Sequence, residues 1–331
     1  MNKRLRTVFL VSVLLVMAAV LSGCSVPQGP VNLDAPPGWW ESIFVYPIAK
    51  ILVWLSATIG NAGLPFGLGW AIILITVIIK VVTLPLTRKQ LQSQKAMQDL
   101  QPRLKELQDK YGKDKQKLSE EQMKLYKEAG VNPMGGCLPL LIQLPVLWAL
   151  YQALYAVAST DLVPMSERAF FWIPDLFYPS LTVGTKWLGE SFTTQNWGKL
   201  VAYGSLPIIM LVTQLILQKM SQAPKNPKTG KSGQDTQAQM MSQMMFFMPI
   251  MFGYITLGLP AGLTLYWTVS NALSLIQQYF VAGWGGLGDW VAAFNKLRSG
   301  EQTRTLAVVA EEPDATPSAL DKPIKRNRRR R

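Results

Sequence analysis

One charge, Lys80, stands inside an apolar run that otherwise reads from Leu64 to Leu86. A run of that length is a candidate membrane-spanning helix. A cation within it is costly enough to mark a functional site by default. The chemistry open to it is electrostatic: drawing an anionic group into a low-dielectric layer. Other chemistries are thinly supplied. The chain has no histidine, which excludes imidazole relays, His-based triads and His-containing metal sites. Its two cysteines, Cys24 and Cys137, are too few for a disulfide framework. The apolar runs hold no paired carboxylates that would act as acid and base. No complete Walker-type loop, Gly-x-x-x-x-Gly-Lys-Ser/Thr, occurs. Neither a metal nor a small-molecule cofactor is expected.

The elements that must position Lys80 are apolar helices. Of the 331 residues, 49% are hydrophobic and only 16% charged, against about 25% charged in soluble domains. The expected fold is an all-α polytopic membrane protein with five transmembrane helices in the mature chain, a cytoplasmic helical hairpin and an outer interfacial helix. Residues 1–23 read as a signal peptide. Lys3, Arg4 and Arg6 precede the apolar stretch Val8–Val20, and Leu21-Ser22-Gly23-Cys24 resembles a bacterial lipobox. That resemblance implies cleavage before Cys24 and a diacylglyceryl group on its sulfur, with N-acylation (palmitate) of the new terminus. An uncleaved first span is the alternative.

The mature chain then divides by composition. Residues 24–60 hold a Pro-rich linker and an aromatic segment, Trp39–Ile59, expected to lie on the outer membrane face as an amphipathic helix; a marginal extra span is the other reading. Residues 61–87 form the first span, with Pro85 expected at its inner end. Residues 88–132 form a soluble basic hairpin carrying eleven Lys/Arg and seven Asp/Glu. It turns at Tyr111-Gly112-Lys113-Asp114, and Pro102 is expected to bend its first arm. Residues 133–158 are the second span, 159–199 an outer loop, 200–218 the third span and 219–239 a cytoplasmic loop. The fourth and fifth spans lie in 240–282, before a basic tail at 283–331. The three inner segments carry 25 of the 33 Lys/Arg. That bias sets an outer N-terminus and a cytoplasmic C-terminus in a bacterial plasma membrane.

Lys80 lies about 12 Å along the helix from Arg88, in the inner half of a bilayer. Its stem could snorkel to headgroups with no specific role. A functional role needs polar neighbours. Thr76 and Thr83 lie on its own helix; Gln143, Thr213, Gln214, Ser270 and Asn271 lie on other spans. Together they would line a hydrated cavity, and prolines in the partner spans suit bent helices around it. Met240, Met241, Met244, Met245, Met248 and Met251 form a dense cluster, suited either to varied hydrophobic partners or to plain packing. The terminal cluster Lys325, Arg326, Arg328, Arg329, Arg330 and Arg331 fits anionic lipid or the RNA phosphates of a ribosome.

Longer motifs occur in order along these elements. Tyr126-Lys127-Glu128-Ala129-Gly130-Val131-Asn132-Pro133-Met134-Gly135-Gly136-Cys137 continues as Leu138-Pro139-Leu140-Leu141-Ile142-Gln143-Leu144-Pro145. The whole resembles the second-span entry of the YidC/Oxa/Alb membrane insertases. Phe171-Trp172-Ile173-Pro174-Asp175-Leu176 resembles that family's outer-loop motif. Met244–Pro249, Leu259-Pro260-Ala261-Gly262-Leu263, Leu265-Tyr266-Trp267, Ser270-Asn271 and Gln277-Gln278 resemble its last hairpin. The likeness runs from about Trp39 to Ala282 and is of the short, lipobox-bearing Gram-positive type.

The resemblance implies an insertase for nascent membrane proteins, working alone or with the Sec translocon, through a hydrated groove open to cytoplasm and lipid. The family's groove cation is usually arginine in a span ending Leu-Pro-Leu. Lys80, upstream of Leu84-Pro85-Leu86, takes that place and keeps the charge without the guanidinium fork. Gln143 and Trp267 also match family positions near the groove. Implied partners are nascent chains, the translocon, the ribosome and membrane lipids. No catalysis is implied. The rival readings are an anion transporter or channel with Lys80 as its site, and a lipid-handling enzyme.

Overall fold

The computed structural model describes residues 32–35, 38–112, 114–131, 138–160, 162–180, 182–222, 247 and 249–298. Among these the regular structure is helical, and the one β-type pairing is an isolated bridge between Phe170 and Ile173. A π-helical turn, Glu41–Val45, leads into α1 (Tyr46–Asn61). Then come α2 (Gly67–Asp99), α3 (Gln101–Tyr111), α4 (Lys115–Glu128) and α5 (Leu138–Ser159). After an irregular loop with a short helix, α6 (Lys186–Thr193), come α7 (Trp197–Met220), helical residues 249–256, and α8 (Ala261–Ala282). A second unit, from Leu287 onward, contains α9 (Gly288–Arg298).

Within the first unit α8 is the central strut, packing along both α2 and α7, while α1 lies against α2 and α5. Helical periodicity dictates the faces. On α2, Leu68, Ala71, Ile72, Ile75 and Thr76 recur at three- and four-residue steps and are buried, while Leu74, Ile78, Val81 and Val82 are exposed. Exposed aliphatics in such numbers suit a lipid solvent. By length and composition Glu41–Asn61, α2 and α7 could each cross a membrane. Glu41–Asn61 is therefore long enough to span, although its Lys50 pairs with Asp34 at 2.8 Å.

One end of the bundle, here the loop end, is tied by the 162–196 segment. Glu167 accepts a hydrogen bond from the Gly67 amide at 2.7 Å, placing a carboxylate at the positive start of α2. Gly67 has no room for a Cβ, which would meet both Glu167 and Ser56. Leu176 and Tyr178 offer carbonyls to the Gly262 and Ala261 amides at 2.7 and 2.9 Å, satisfying the start of α8. Trp172 donates to Ser205 and Trp187 to the Leu257 carbonyl, each at 2.7 Å. Phe66, Trp70, Phe170 and Phe171 form a cluster of tilted and edge-on ring contacts.

The other end carries α3 and α4, and here one proline expectation gives way. Pro85 does not end its helix: α2 runs through it to Asp99. Thr83 and Thr87 bracket the proline and donate their hydroxyls to carbonyls of the preceding turn, at 2.8 Å to Ile79 and 3.0 Å to Thr83. Pro102 sits in the first turn of α3, just past the break at Leu100 that separates α2 from α3, where its missing N–H costs nothing. Beyond the turn, where the Asp114 amide meets the Tyr111 carbonyl, Asp114 caps α4 by accepting from Lys117 N at 3.1 Å. The two arms bury little: Leu104 alone on α3 and nothing on α4.

Candidate functional site

Lys80 is half-buried on α2, and its ammonium donates to the Ser274 hydroxyl of α8 at 2.7 Å. The helices α2 and α8 both start at the loop end, so their side chains meet in register down the bundle. Two further polar pairs involve α8. Gln143 of α5 donates its amide to the Tyr266 hydroxyl at 2.7 Å. Asn271 donates to the Thr213 hydroxyl of α7 at 3.4 Å. Thus α8 contributes a partner to α2, α5 and α7 in turn. Ser270, between them, is buried.

Not every expected neighbour faces the cation. Thr76 is wholly buried and bonds back to the Ile72 carbonyl at 2.6 Å. Thr83 returns its hydroxyl to Ile79 and Lys80 carbonyls. Gln214 is half-buried one residue around α7 from Thr213. Trp267 is buried edge-on against Phe252, ring centres 5.1 Å apart. Ser274 and Tyr266 were missed as partners. The signal was present: Tyr266, Ser270 and Ser274 recur every four residues, one polar stripe along one helix. Cys24, the methionines Met240, Met241, Met244, Met245 and Met248, and the terminal cluster lie outside the described residues.

Packing changes along the bundle at the level of Lys80. Towards the loop end, α5 is buried at Ala149–Leu154, Ala156 and Val157, and α8 at Ala261–Trp267. Towards the hairpin end it loosens. On α5, residues 143–148 are half-buried or exposed; on α7 none is buried between Met210 and Met220; on α2 none between Thr76 and Gln90. Lys80, Thr213 and Ser274 all fall in the loose half. Magnitudes then bear on the cation. A Lys at mid-membrane costs about 2.5–3.5 kcal/mol on insertion scales, while one interhelical hydrogen bond in lipid returns about 0.6 kcal/mol. Ser274 alone does not offset Lys80; water, headgroups or a bound anion must supply the rest. Among the described residues no cluster of acidic or cysteine side chains could hold a metal.

A helical bundle with apolar outward faces and with Lys80 inside an apolar helix fits a polytopic membrane protein. Comparison with known proteins makes it specific. The family model for the 60Kd inner membrane protein matches residues 60–284. Over 289 residues the chain is 34% identical to membrane protein insertase YidC 2 of Listeria innocua, covering 85% of each chain. It is 34% identical over 278 residues to YidC 2 of Bacillus anthracis, covering 83% of this chain and 92% of that one. It is 40% identical over 235 residues to inner membrane ALBINO3-like protein 2, chloroplastic, of Chlamydomonas reinhardtii, covering 70% and 53%. The chain spans little more than half the length of that chloroplast relative and most of the bacterial ones. The chain belongs to the 60Kd inner membrane protein family, the YidC/Oxa/Alb group.

Proposed function

We propose that this chain is a membrane protein insertase rather than an enzyme. It receives nascent integral membrane proteins, alone or beside the Sec translocon, and passes them into lipid through a hydrated groove that Lys80 charges positively. The observation that carries this is the coincidence of Lys80 with the change in packing: dense towards the loop end, loose towards the hairpin end. A site closed at one end and open at the other admits a polar segment without opening a pore. A short acidic segment of the substrate enters from the cytoplasmic side and pairs transiently with Lys80. The adjoining apolar span then partitions into lipid, and hydrophobic transfer drives the step without a nucleotide. Thr213, Asn271 and Gln143 hold water or substrate backbone in that groove, with Tyr266 fixing the Gln143 amide.

In this reading the loop end faces outward, with the N-terminus lipidated on Cys24, and Trp39–Ile59 rests at the outer interface. The hairpin and the basic tail face the cytoplasm of a bacterium, where they meet the ribosome or anionic lipid. Family membership and the names of the bacterial relatives support the reading. The test is reconstitution of the purified protein in liposomes with a single-span, Sec-independent substrate. Protease protection of the substrate without ion or solute leak is expected. Solute or anion flux in place of insertion would favour a channel and overturn the proposal.

A further inference from the structure

Six residues beyond the last long helix, α9 (Gly288–Arg298) begins a second unit. Its sequence is amphipathic: Leu287, Trp290, Phe294 and Leu297 follow an i, i+3, i+7, i+10 pattern and share one stripe. The two aromatics on that stripe are among the most open large side chains of the protein, Trp290 at 71% and Phe294 at 65% exposed. Apart from half-buried Val291, the remaining residues are small or polar, with Ala292 and Asn295 exposed and Lys296 and Arg298 following in sequence. From Gly288 to Arg331 there are ten Lys/Arg against six Asp/Glu.

We propose that α9 is a membrane-surface helix whose Trp290–Phe294 face inserts among the headgroups of anionic phospholipid. This rests on the reading of α8 as a span that ends at the cytoplasmic surface. Tyr279, Phe280 and Trp284 are exposed where α8 ends, as expected of an aromatic belt at headgroup depth. Six residues reach at most about 20 Å, so α9 is tethered within that distance of lipid. At such effective concentration a short face with two aromatics is held where a free peptide would dissociate. Charge complementarity selects anionic headgroups. RNA is the poorer match, because base stacking calls for aromatics interleaved with cations, and here the aromatics sit among leucines.

The test uses the full-length protein, one copy per nanodisc, with a fluorophore on a single introduced cysteine in a Cys24→Ser, Cys137→Ser background. Probe positions are Phe294→Cys on the apolar stripe, Ala292→Cys opposite it, and Val212→Cys on the exposed face of α7. Lipid-borne quencher is expected to act several-fold more on the 294 probe than on the 292 probe in phosphatidylglycerol discs. Phosphatidylcholine discs or high salt should weaken that contrast. Equal quenching at 294 and 292, or a contrast that ignores lipid charge, overturns the proposal. So does a 294 probe that leaves the aqueous phase only on adding ribosomes. Failure to quench at 212 would instead overturn the spanning reading itself.

Discussion

The two halves of α2 obey different rules. From Gly67 to Thr76 its inner face is sunk in the core, its first amide held by Glu167. From Val77 to Lys89 none of its residues is buried, and Val81 and Val82 are 63% and 71% exposed. Lys80 lies four residues past the boundary. The contrast teaches how one helix carries both a fixed anchor and a tolerant site. The first half is specified by close contacts that allow no extra atoms. The second holds a charge because little apolar packing has to be given up around it.

Substitutions can break that contrast. The largest effect is expected in the loose half for Lys80→Glu: insertion of an acidic substrate into liposomes should fall by about tenfold or more, the factor that 1.4 kcal/mol represents. Lys80→Arg should retain most activity, since the charge rather than the fork is used. Next, Gly262→Leu strikes the tight half. A Cβ at Gly262 already lies 3.1 Å from Ile72 Cδ1 and 3.2 Å from the Leu176 carbonyl, so overpacking should cost about 1–3 kcal/mol. Gly204→Leu, which meets no atom within 4 Å, should leave the thermal midpoint in detergent unchanged. If both glycines tolerate leucine equally, the close fit at the start of α8 is not what specifies the tight half.

Smaller effects sharpen it. Glu167→Ala should lose about 1 kcal/mol, typical of a lost cap. Glu167→Gln, which keeps an acceptor but removes the charge at the start of α2, should lose less, about 0.5 kcal/mol. Thermal unfolding at low and high salt separates the two. Of similar size, Ser274→Ala should cost about 0.6 kcal/mol and slow insertion two- to threefold. An effect as large as that of Lys80→Glu would make the serine part of the site rather than a resting partner.

Lys80 was legible in the sequence because a charge in an apolar run has few innocent explanations. Its partner was not. A serine in an apolar helix is unremarkable by itself, and pairing it with a residue 194 positions away requires the relative register of α2 and α8. The same holds for Gln143 with Tyr266: the glutamine was singled out as polar, but the tyrosine read as one more aromatic. The all-helical class and family motifs were plain from composition and order. Pro85 misled because proline disfavours helix at the preceding residue, a local preference that did not stop α2 from running through it. Thr76 misled in the opposite sense: its spacing from Lys80 was right, but its hydroxyl bonds to its own backbone.

The unbroken passage of α2 through Pro85 has a mechanical consequence. From Lys80 to Asp99 the chain is one rod, about 28 Å long at 1.5 Å per residue, and the hairpin is fastened to its far end. Whatever tugs or tilts the hairpin therefore turns a lever whose short arm bears the charge, with no slack joint to absorb the movement. Two glycines inserted after Arg88 would supply that joint. Lys80 would keep its place beside Ser274, yet crosslinking of a substrate held at the hairpin to position 80 should weaken. Undiminished crosslinking would show that the rod transmits nothing.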